Sequence, residues 1–108
     1  KKFAAIMLDI DDFKSINDTF GHVEGDHALV LAAEILRKSI RKGDVVARYG
    51  GDEFLIVLDQ CSDSTPTRVI RRIRENVQKF NGENTLPYAI RLNFFMSDGC
   101  LTVGVFRE

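Results

Sequence analysis

The feature that most constrains the fold is a pair of glycines between two apolar, strand-like runs. The runs cover residues 45–47 and 54–58, and Gly50-Gly51 lies between them in the sequence Arg-Tyr-Gly-Gly-Asp-Glu-Phe. Because glycine adopts positive φ without strain, the pair predicts a tight β-hairpin with positive φ in its turn. Such a hairpin would hold Asp52 and Glu53 at one edge of a sheet, where carboxylates rarely help folding.

A third acid, Asp9, closes another apolar run. Residues 3–8 are six apolar residues in a row, which predicts a central strand covered on both faces. If Asp9 and Asp52 converge in space, they could hold a hard divalent cation such as Mg²⁺. From the spacing alone a structural alternative stays equally open, in which Asp9 caps the next helix and Asp52 occupies an ordinary turn.

The remaining patterns predict three helices and two more strands. Apolar residues three and four apart predict helices over residues 11–19, about 24–42 and 66–80. The predicted helix boundaries are Asp11 or Asp12, Gly21, Gly43, and Thr65 followed by Pro66. Strands are predicted over residues 88–96 and 100–106, joined by a turn. The order β-α-α-β-β-α-β, with a hairpin inside it, predicts an α+β fold whose mixed or antiparallel sheet is flanked by helices.

Composition narrows the classes of partner. The 108 residues fit one domain, and their net charge is −1. No electrostatic footprint for nucleic acid or an anionic membrane is present, so we expect no nucleic-acid partner. No apolar run approaches the roughly 20 residues of a membrane-spanning helix, and we expect no membrane segment in this chain.

Two motifs resemble the hallmarks of the GGDEF family, the diguanylate cyclases of bacterial signalling. One is the hairpin sequence at residues 48–54, and the other is residues 9–22 followed by Gly25-Asp26. The resemblance covers roughly positions 3 to 80. It implies a palm-like fold similar to that of other nucleotide cyclases. Residues 1–108 would form a GGDEF domain without the family's N-terminal helix and C-terminal helix and strand.

The resemblance also implies a reaction. Two GTP molecules would condense across a homodimer into cyclic di-GMP, with release of two pyrophosphates. Asp9, the main-chain carbonyl of Ile10 and Asp52 would ligate Mg²⁺, or Mn²⁺ in its place. Asp52 or Glu53 would assist deprotonation of the attacking ribose hydroxyl. The alternative is a catalytically silent module that binds GTP or cyclic di-GMP as a sensor.

The substrate-binding residues are implied in the same way. Asn17 and Asp26 would recognise guanine, because an amide and a carboxylate match its donor and acceptor edge. The remaining substrate contacts would come from His22, the main-chain amides of Asp12 and Phe13, and the Lys14 ammonium group. Without the resemblance, Asp26 could instead cap the long helix and Lys14 could be a solvated surface lysine.

A product site is implied by Arg41-x-x-Asp44, a few residues before the two glycines. In the family this motif binds cyclic di-GMP and inhibits the enzyme; the alternative is ordinary charge at a helix C-terminus. The chain departs from the family at residues 97–99, which fit its Ser-x-Gly sequence loosely, and after them no helix supplies the family's phosphate-binding lysine and arginine. The family relationship further implies an upstream sensory domain and a cytoplasmic location, although the full-length protein could be membrane-anchored through another part.

Overall fold

The structure is a computed structural model that describes residues 3–97 and 100–101. Its elements, in chain order, are β1 Ala4–Ile10, α1 Phe13–Phe20, α2 His22–Lys38, β2 Val45–Arg48, β3 Glu53–Leu58, α3 Thr65–Glu83, β4 Leu92–Phe94, β5 Met96–Ser97 and β6 Cys100–Leu101. The predicted α+β class and the predicted order of elements are confirmed.

One antiparallel sheet organises the domain. Its strand order is β2-β3-β1-β4, and each neighbouring pair is antiparallel, which settles the choice between a mixed and an antiparallel sheet. Strands β5 and β6 form a separate two-stranded hairpin, with Met96 opposite Leu101. The rest of the predicted strand over residues 100–106 and the tip of its turn lie outside the described residues.

The hydrophobic core lies on one face of the sheet. Along β1 the buried positions alternate, at Ala4, Ile6, Leu8 and Ile10, and they pack with apolar residues of α2 and α3. On the other face Met7 is 40% exposed. The prediction that β1 is covered on both faces is therefore wrong for the described residues, because the alternation of a half-buried strand is hidden in a continuous apolar run.

The first two helices differ from their predicted bounds because of local hydrogen bonds. Helix α1 begins at Phe13, after Asp12 in the left-handed conformation (φ 56°), and ends at Gly21 as predicted. Helix α2 includes Asp26, so this residue does not cap it. Its C-cap is Ser39, whose hydroxyl donates to the Ile35 carbonyl (2.8 Å). Gly43, predicted to be this cap, instead adopts positive φ in the loop before β2.

The third helix carries its predicted apolar stripe, with Val69, Ile70 and Ile73 buried. Thr65, the predicted N-cap, is instead the first residue of the helix, and Ser64 is the N-cap. The Thr65 hydroxyl accepts a hydrogen bond from the Ser62 N–H (2.9 Å) in the preceding loop.

The strand predicted over residues 88–96 shrinks to the three residues of β4. The cause is Asn81 of α3, whose side-chain amide bonds both the N–H and the carbonyl of Ile90 at 2.9 Å. These bonds tie the segment before β4 to the helix instead of the sheet.

The β2–β3 hairpin is present, but its turn is wider than predicted. Arg48 pairs with Phe54, and the Tyr49 N–H donates to the Glu53 carbonyl (3.1 Å). Neither Gly50 nor Gly51 has positive φ, so that prediction is wrong. Gly50 instead allows the Glu53 side chain to pack closely, since a Cβ atom at residue 50 would lie 2.5 Å from Glu53 Oε1 and would displace that carboxylate.

We predict that Ser39→Ala destabilises the domain. The fully buried hydroxyl also accepts from Asn76 Nδ2 (2.9 Å), so the substitution leaves that amide unpaired between α2 and α3. The expected loss in the free energy of unfolding is about 1–2 kcal/mol in urea denaturation. The control Ser15→Ala, at an exposed position of α1, should change it by less than about 0.5 kcal/mol. Equal stability of the two variants would contradict the role of Ser39.

Candidate active site

Three acids meet at the end of the central strand. Asp9 of β1 lies directly opposite Glu53 of β3, and on its other side it lies opposite Asn93 of β4. Residues opposite one another in an antiparallel pair project from the same face. The Ile10 N–H donates to the main-chain carbonyl of Asp52 (3.1 Å), which fixes the hairpin turn against the end of β1. The structure thus brings together Asp9, Ile10, Asp52 and Glu53.

The environment of Asp9 disfavours its ionised form. Its Oδ1 atom is buried and has no hydrogen-bond partner in the described part of the chain. The pKa of Asp9 is raised, and burial is the largest cause. The hydrogen bond from the Asn93 amide lowers the pKa, whereas the negative charges of Asp52, Asp11 and Glu53 raise it further. A positive charge beside this carboxylate would therefore favour its ionised form.

The donor set fits a magnesium ion bound together with a substrate. Within residues 3–97 and 100–101, no three His, Cys, Asp or Glu side chains form a ready-made cage. Mg²⁺ does not need one, because it usually takes one or two carboxylates and completes its shell with water and phosphate oxygens. The unpartnered oxygen of Asp9, beside Asp52 and the main chain of Ile10, is suited to that role.

Glu53 is held by a tyrosine that the sequence reasoning missed. The Tyr49 hydroxyl donates to Glu53 Oε2 (3.0 Å), across the hairpin turn. Burial, this hydrogen bond and the charges of Glu53 and Asp9 raise the pKa of Tyr49, so the phenol stays protonated and remains a donor.

The predicted phosphate-binding residues lie at the start of α1. Asp12 is exposed, no side chain caps the helix, and Phe13 packs partly against the core. Lys14 is exposed and donates to Asp18 Oδ2 (2.8 Å), a hydrogen bond that raises the pKa of the lysine. The main-chain amides of Asp12 and Phe13 are close in sequence to Asp9, whereas the Lys14 ammonium group is bonded to Asp18.

Asn17, one of the predicted guanine-binding residues, lies where α1 packs on α2. The side-chain oxygen of Asn17 (Oδ1) lies where a Cβ atom of residue 25 would be, so only glycine at this position allows the approach. Asp26 follows directly and is exposed. It lines a groove of about 400 Å³ between α2 and the hairpin, with walls that include Leu29, Val30, Ala33, Val46, Phe54, Arg37 and Arg48. His22 is exposed at the first position of α2.

Arg41 and Asp44 meet in a braced loop. Asp44, 1% exposed, accepts from the Arg41 N–H (2.9 Å) and Nε (3.4 Å) through Oδ2, and from the Asp59 N–H (2.9 Å) through Oδ1. Arg41 Nη2 also donates to the Asp59 carbonyl (2.8 Å). The bonds from Arg41 to Asp44 therefore orient the arginine side chain, about half of which is exposed.

Two further members of this site, Asp11 and Asn93, also escaped the sequence reasoning. Asn93 Nδ2 donates to Asp11 Oδ1 (3.2 Å), next to Asp9. The spacing of Asp9 and Asp11, two apart at a strand end, could have indicated Asp11. No local signal could have indicated Asn93, because its place depends on the register between β1 and β4.

Comparison with known proteins agrees with the geometry. The family model described as "Diguanylate cyclase, GGDEF domain" matches residues 1–100. The chain is 38% identical over 99 residues to the probable diguanylate cyclase DgcT of Escherichia coli, covering 92% of the chain and 22% of that protein. It is 46% identical over 74 residues to diguanylate cyclase A of Treponema denticola, covering 68% and 20%. The chain thus spans about a fifth of these relatives.

Solved structures of other GGDEF domains have a similar fold. The GGDEF domain of DgcB from Caulobacter crescentus, solved in complex with c-di-GMP, superimposes with a TM-score of 0.74 at 29% identity, covering 86% of this chain and 57% of that one. No helix within the described residues is long and apolar enough to cross a membrane. The family match over most of the chain, with a similar fold and both motifs at one rim of the sheet, shows that the chain belongs to the GGDEF family.

Proposed function

We propose that this domain acts as a diguanylate cyclase, which condenses two GTP molecules into cyclic di-GMP and releases two pyrophosphates. The observation that carries the proposal is the buried, unpartnered Oδ1 atom of Asp9 beside Asp52 and Glu53. Relatives named diguanylate cyclases, at 38% and 46% identity, support it.

Asp9, Asp52 and the main-chain carbonyl of Ile10 would hold Mg²⁺, with Mn²⁺ as a substitute. When bound, the ion would screen the phosphate charges and lower the pKa of a ribose 3′-hydroxyl. Asp52 or Glu53 would accept the hydroxyl proton; Glu53 is the first residue of β3, and Asp52 precedes it in the turn. Catalysis would consist mainly of positioning and neutralisation of charge.

Recognition of guanine would rest on Asn17 and Asp26; the Asn17 side chain packs against Gly25, the residue before Asp26. A carboxylate accepts from the N1–H and the exocyclic amine of guanine, whereas adenine has no such pair of donors. The apolar walls of the neighbouring groove suit the face of a base. His22, at the start of the same helix, would contact the substrate.

The terminal phosphates would bind to the main-chain amides of Asp12 and Phe13, at the free end of α1. Lys14 would exchange its exposed bond to Asp18 for a phosphate oxygen, an exchange that loses little because solvent screens such surface pairs. Each domain would bind one GTP, so both halves of the product require a homodimer.

Arg41 and Asp44 would bind the product and inhibit the reaction. Arg41 would contact cyclic di-GMP, while the buried Asp44 carboxylate would hold the arginine through the two hydrogen bonds that it accepts from Arg41. A control site of this kind suits a cytoplasmic domain that draws on the GTP pool under an upstream sensory domain.

We predict that Asp52→Asn lowers the steady-state rate of cyclic di-GMP formation by about 100-fold or more, because the substitution removes a carboxylate from the proposed metal site. The matched control Asp63→Asn, in the loop before α3, should leave the rate unchanged. Undiminished product from Asp52→Asn would refute the enzymatic proposal. Tight GTP binding by the unaltered protein without any turnover would instead favour a silent sensor module.

We also predict that Gly25→Ala weakens GTP binding. The added methyl group would displace the Asn17 side-chain amide from its place against α2, next to the residue that precedes Asp26. Calorimetry should show a dissociation constant for GTP raised about tenfold, the equivalent of one lost hydrogen bond. The control Gly82→Ala, also in a helix, has open space around the new methyl group and should bind GTP normally. Equal affinities would remove Asn17 from the guanine site.

A further inference from the structure

A row of four polar side chains crosses the end of the sheet on one face. Asp9 is opposite Glu53 on one side and Asn93 on the other. The Tyr49 N–H donates to the Glu53 carbonyl (3.1 Å), which extends the β2–β3 pairing by one residue and places Tyr49 beside Glu53. The row therefore runs Tyr49, Glu53, Asp9, Asn93, with one residue from each strand region.

The two outer members of the row donate hydrogen bonds to acids on either side of Asp9. The Tyr49 hydroxyl donates to Glu53 Oε2 (3.0 Å), and Asn93 Nδ2 donates to Asp11 Oδ1 (3.2 Å). Neither donor carries a charge. A lysine or arginine in their place would neutralise the acids, whereas a phenol and an amide orient them and preserve their negative charge.

Two of the nearby cations in the described part of the chain are directed elsewhere. Lys14 bonds Asp18, and Arg48 Nε donates to the Gly50 carbonyl (3.1 Å). The backbone at Gly50 also assists the arrangement, because only a residue without a Cβ atom leaves room for the Glu53 carboxylate. The acids are thus held in place by neutral donors and remain available to an external cation.

We infer that Tyr49 and Asn93 are positioning residues, which fix Glu53 and Asp11 on the two sides of Asp9 and so keep the Asp9 carboxylate ordered for a divalent cation. The inference rests on the metal site of the proposed function. Groups that orient metal ligands strengthen binding because the ligands need not be ordered when the ion arrives. The competing explanation is that both hydrogen bonds only stabilise the turn and β4.

The test is a titration of the nucleotide-free protein with Mn²⁺, in which the free ion is measured by electron paramagnetic resonance. Tyr49→Phe and Asn93→Ala should each raise the dissociation constant for Mn²⁺ about tenfold. The matched controls are Tyr88→Phe, which removes a hydroxyl bonded to Glu24, and Asn76→Ala, which removes the bond to Ser39. Both controls should keep the affinity of the unaltered protein.

Asp9→Asn separates failure of this inference from failure of the proposed function. If Asp9→Asn abolishes Mn²⁺ binding while Tyr49→Phe and Asn93→Ala bind normally, the positioning role is refuted and the metal site stands. If the unaltered protein binds no Mn²⁺ in the absence of nucleotide, the positioning role is refuted, while the proposed function is decided by the turnover of Asp52→Asn. Thermal unfolding of each variant verifies folding, and a purely structural role would lower the unfolding temperature without changing the affinity for Mn²⁺.

Discussion

Antiparallel pairing of β1 with both β3 and β4 is the constraint on which the candidate site depends. It places Asp9 between two strands and buries one carboxylate oxygen without a partner among the described residues. An unsatisfied buried polar atom costs about 1–3 kcal/mol, a sizeable share of the 5–15 kcal/mol that typically stabilises a domain. This loss of stability is explained if the oxygen binds a cation in the active protein.

The connectivity of the chain links this acid to the rest of the site over a short distance. Two residues separate β1 from α1, and Gly21 alone separates α1 from α2. The residues proposed to bind metal, phosphate and base thus follow one another along the chain, and the Ile10–Asp52 hydrogen bond joins the hairpin to the other side of this candidate site. A nucleotide bound across these elements would contact all of them.

Local patterns in the sequence predicted the parts of the fold that local forces decide. The stop at Gly21, the hairpin and the apolar stripe of α3 follow from glycine geometry and helical periodicity. The predicted end of α2 at Gly43 failed because a serine hydroxyl, at Ser39, ends the helix four residues earlier. The long strand before residue 96 failed because Asn81 ties Ile90 to α3.

The residues of the candidate site also divide into those that a local pattern could indicate and those that depend on long-range pairing. The acids of both motifs were visible in the sequence, and pairing across the hairpin would have revealed Tyr49 once the turn length was known. Asn93 could not be found, since it is more than eighty residues from Asp9 and meets it only through the register of β4. Long-range register is a property of the whole sheet, which no short pattern specifies.

The central claim is that Asp9 is kept for a cation at a cost to folding. Because the pKa of Asp9 is raised above its ordinary value of 3.8, the folded state binds its proton more tightly than the unfolded state. Ionised Asp9 therefore lowers the free energy of unfolding at neutral pH, and the penalty disappears as the pH falls below 3.8.

The direct measurement is urea unfolding at neutral pH of the unaltered protein and Asp9→Asn, each with a chelator and with excess Mg²⁺. Without metal, Asp9→Asn should be at least as stable as the unaltered protein, and Mg²⁺ should stabilise only the unaltered protein. A less stable Asp9→Asn variant, together with no effect of Mg²⁺ on either protein, would contradict the account.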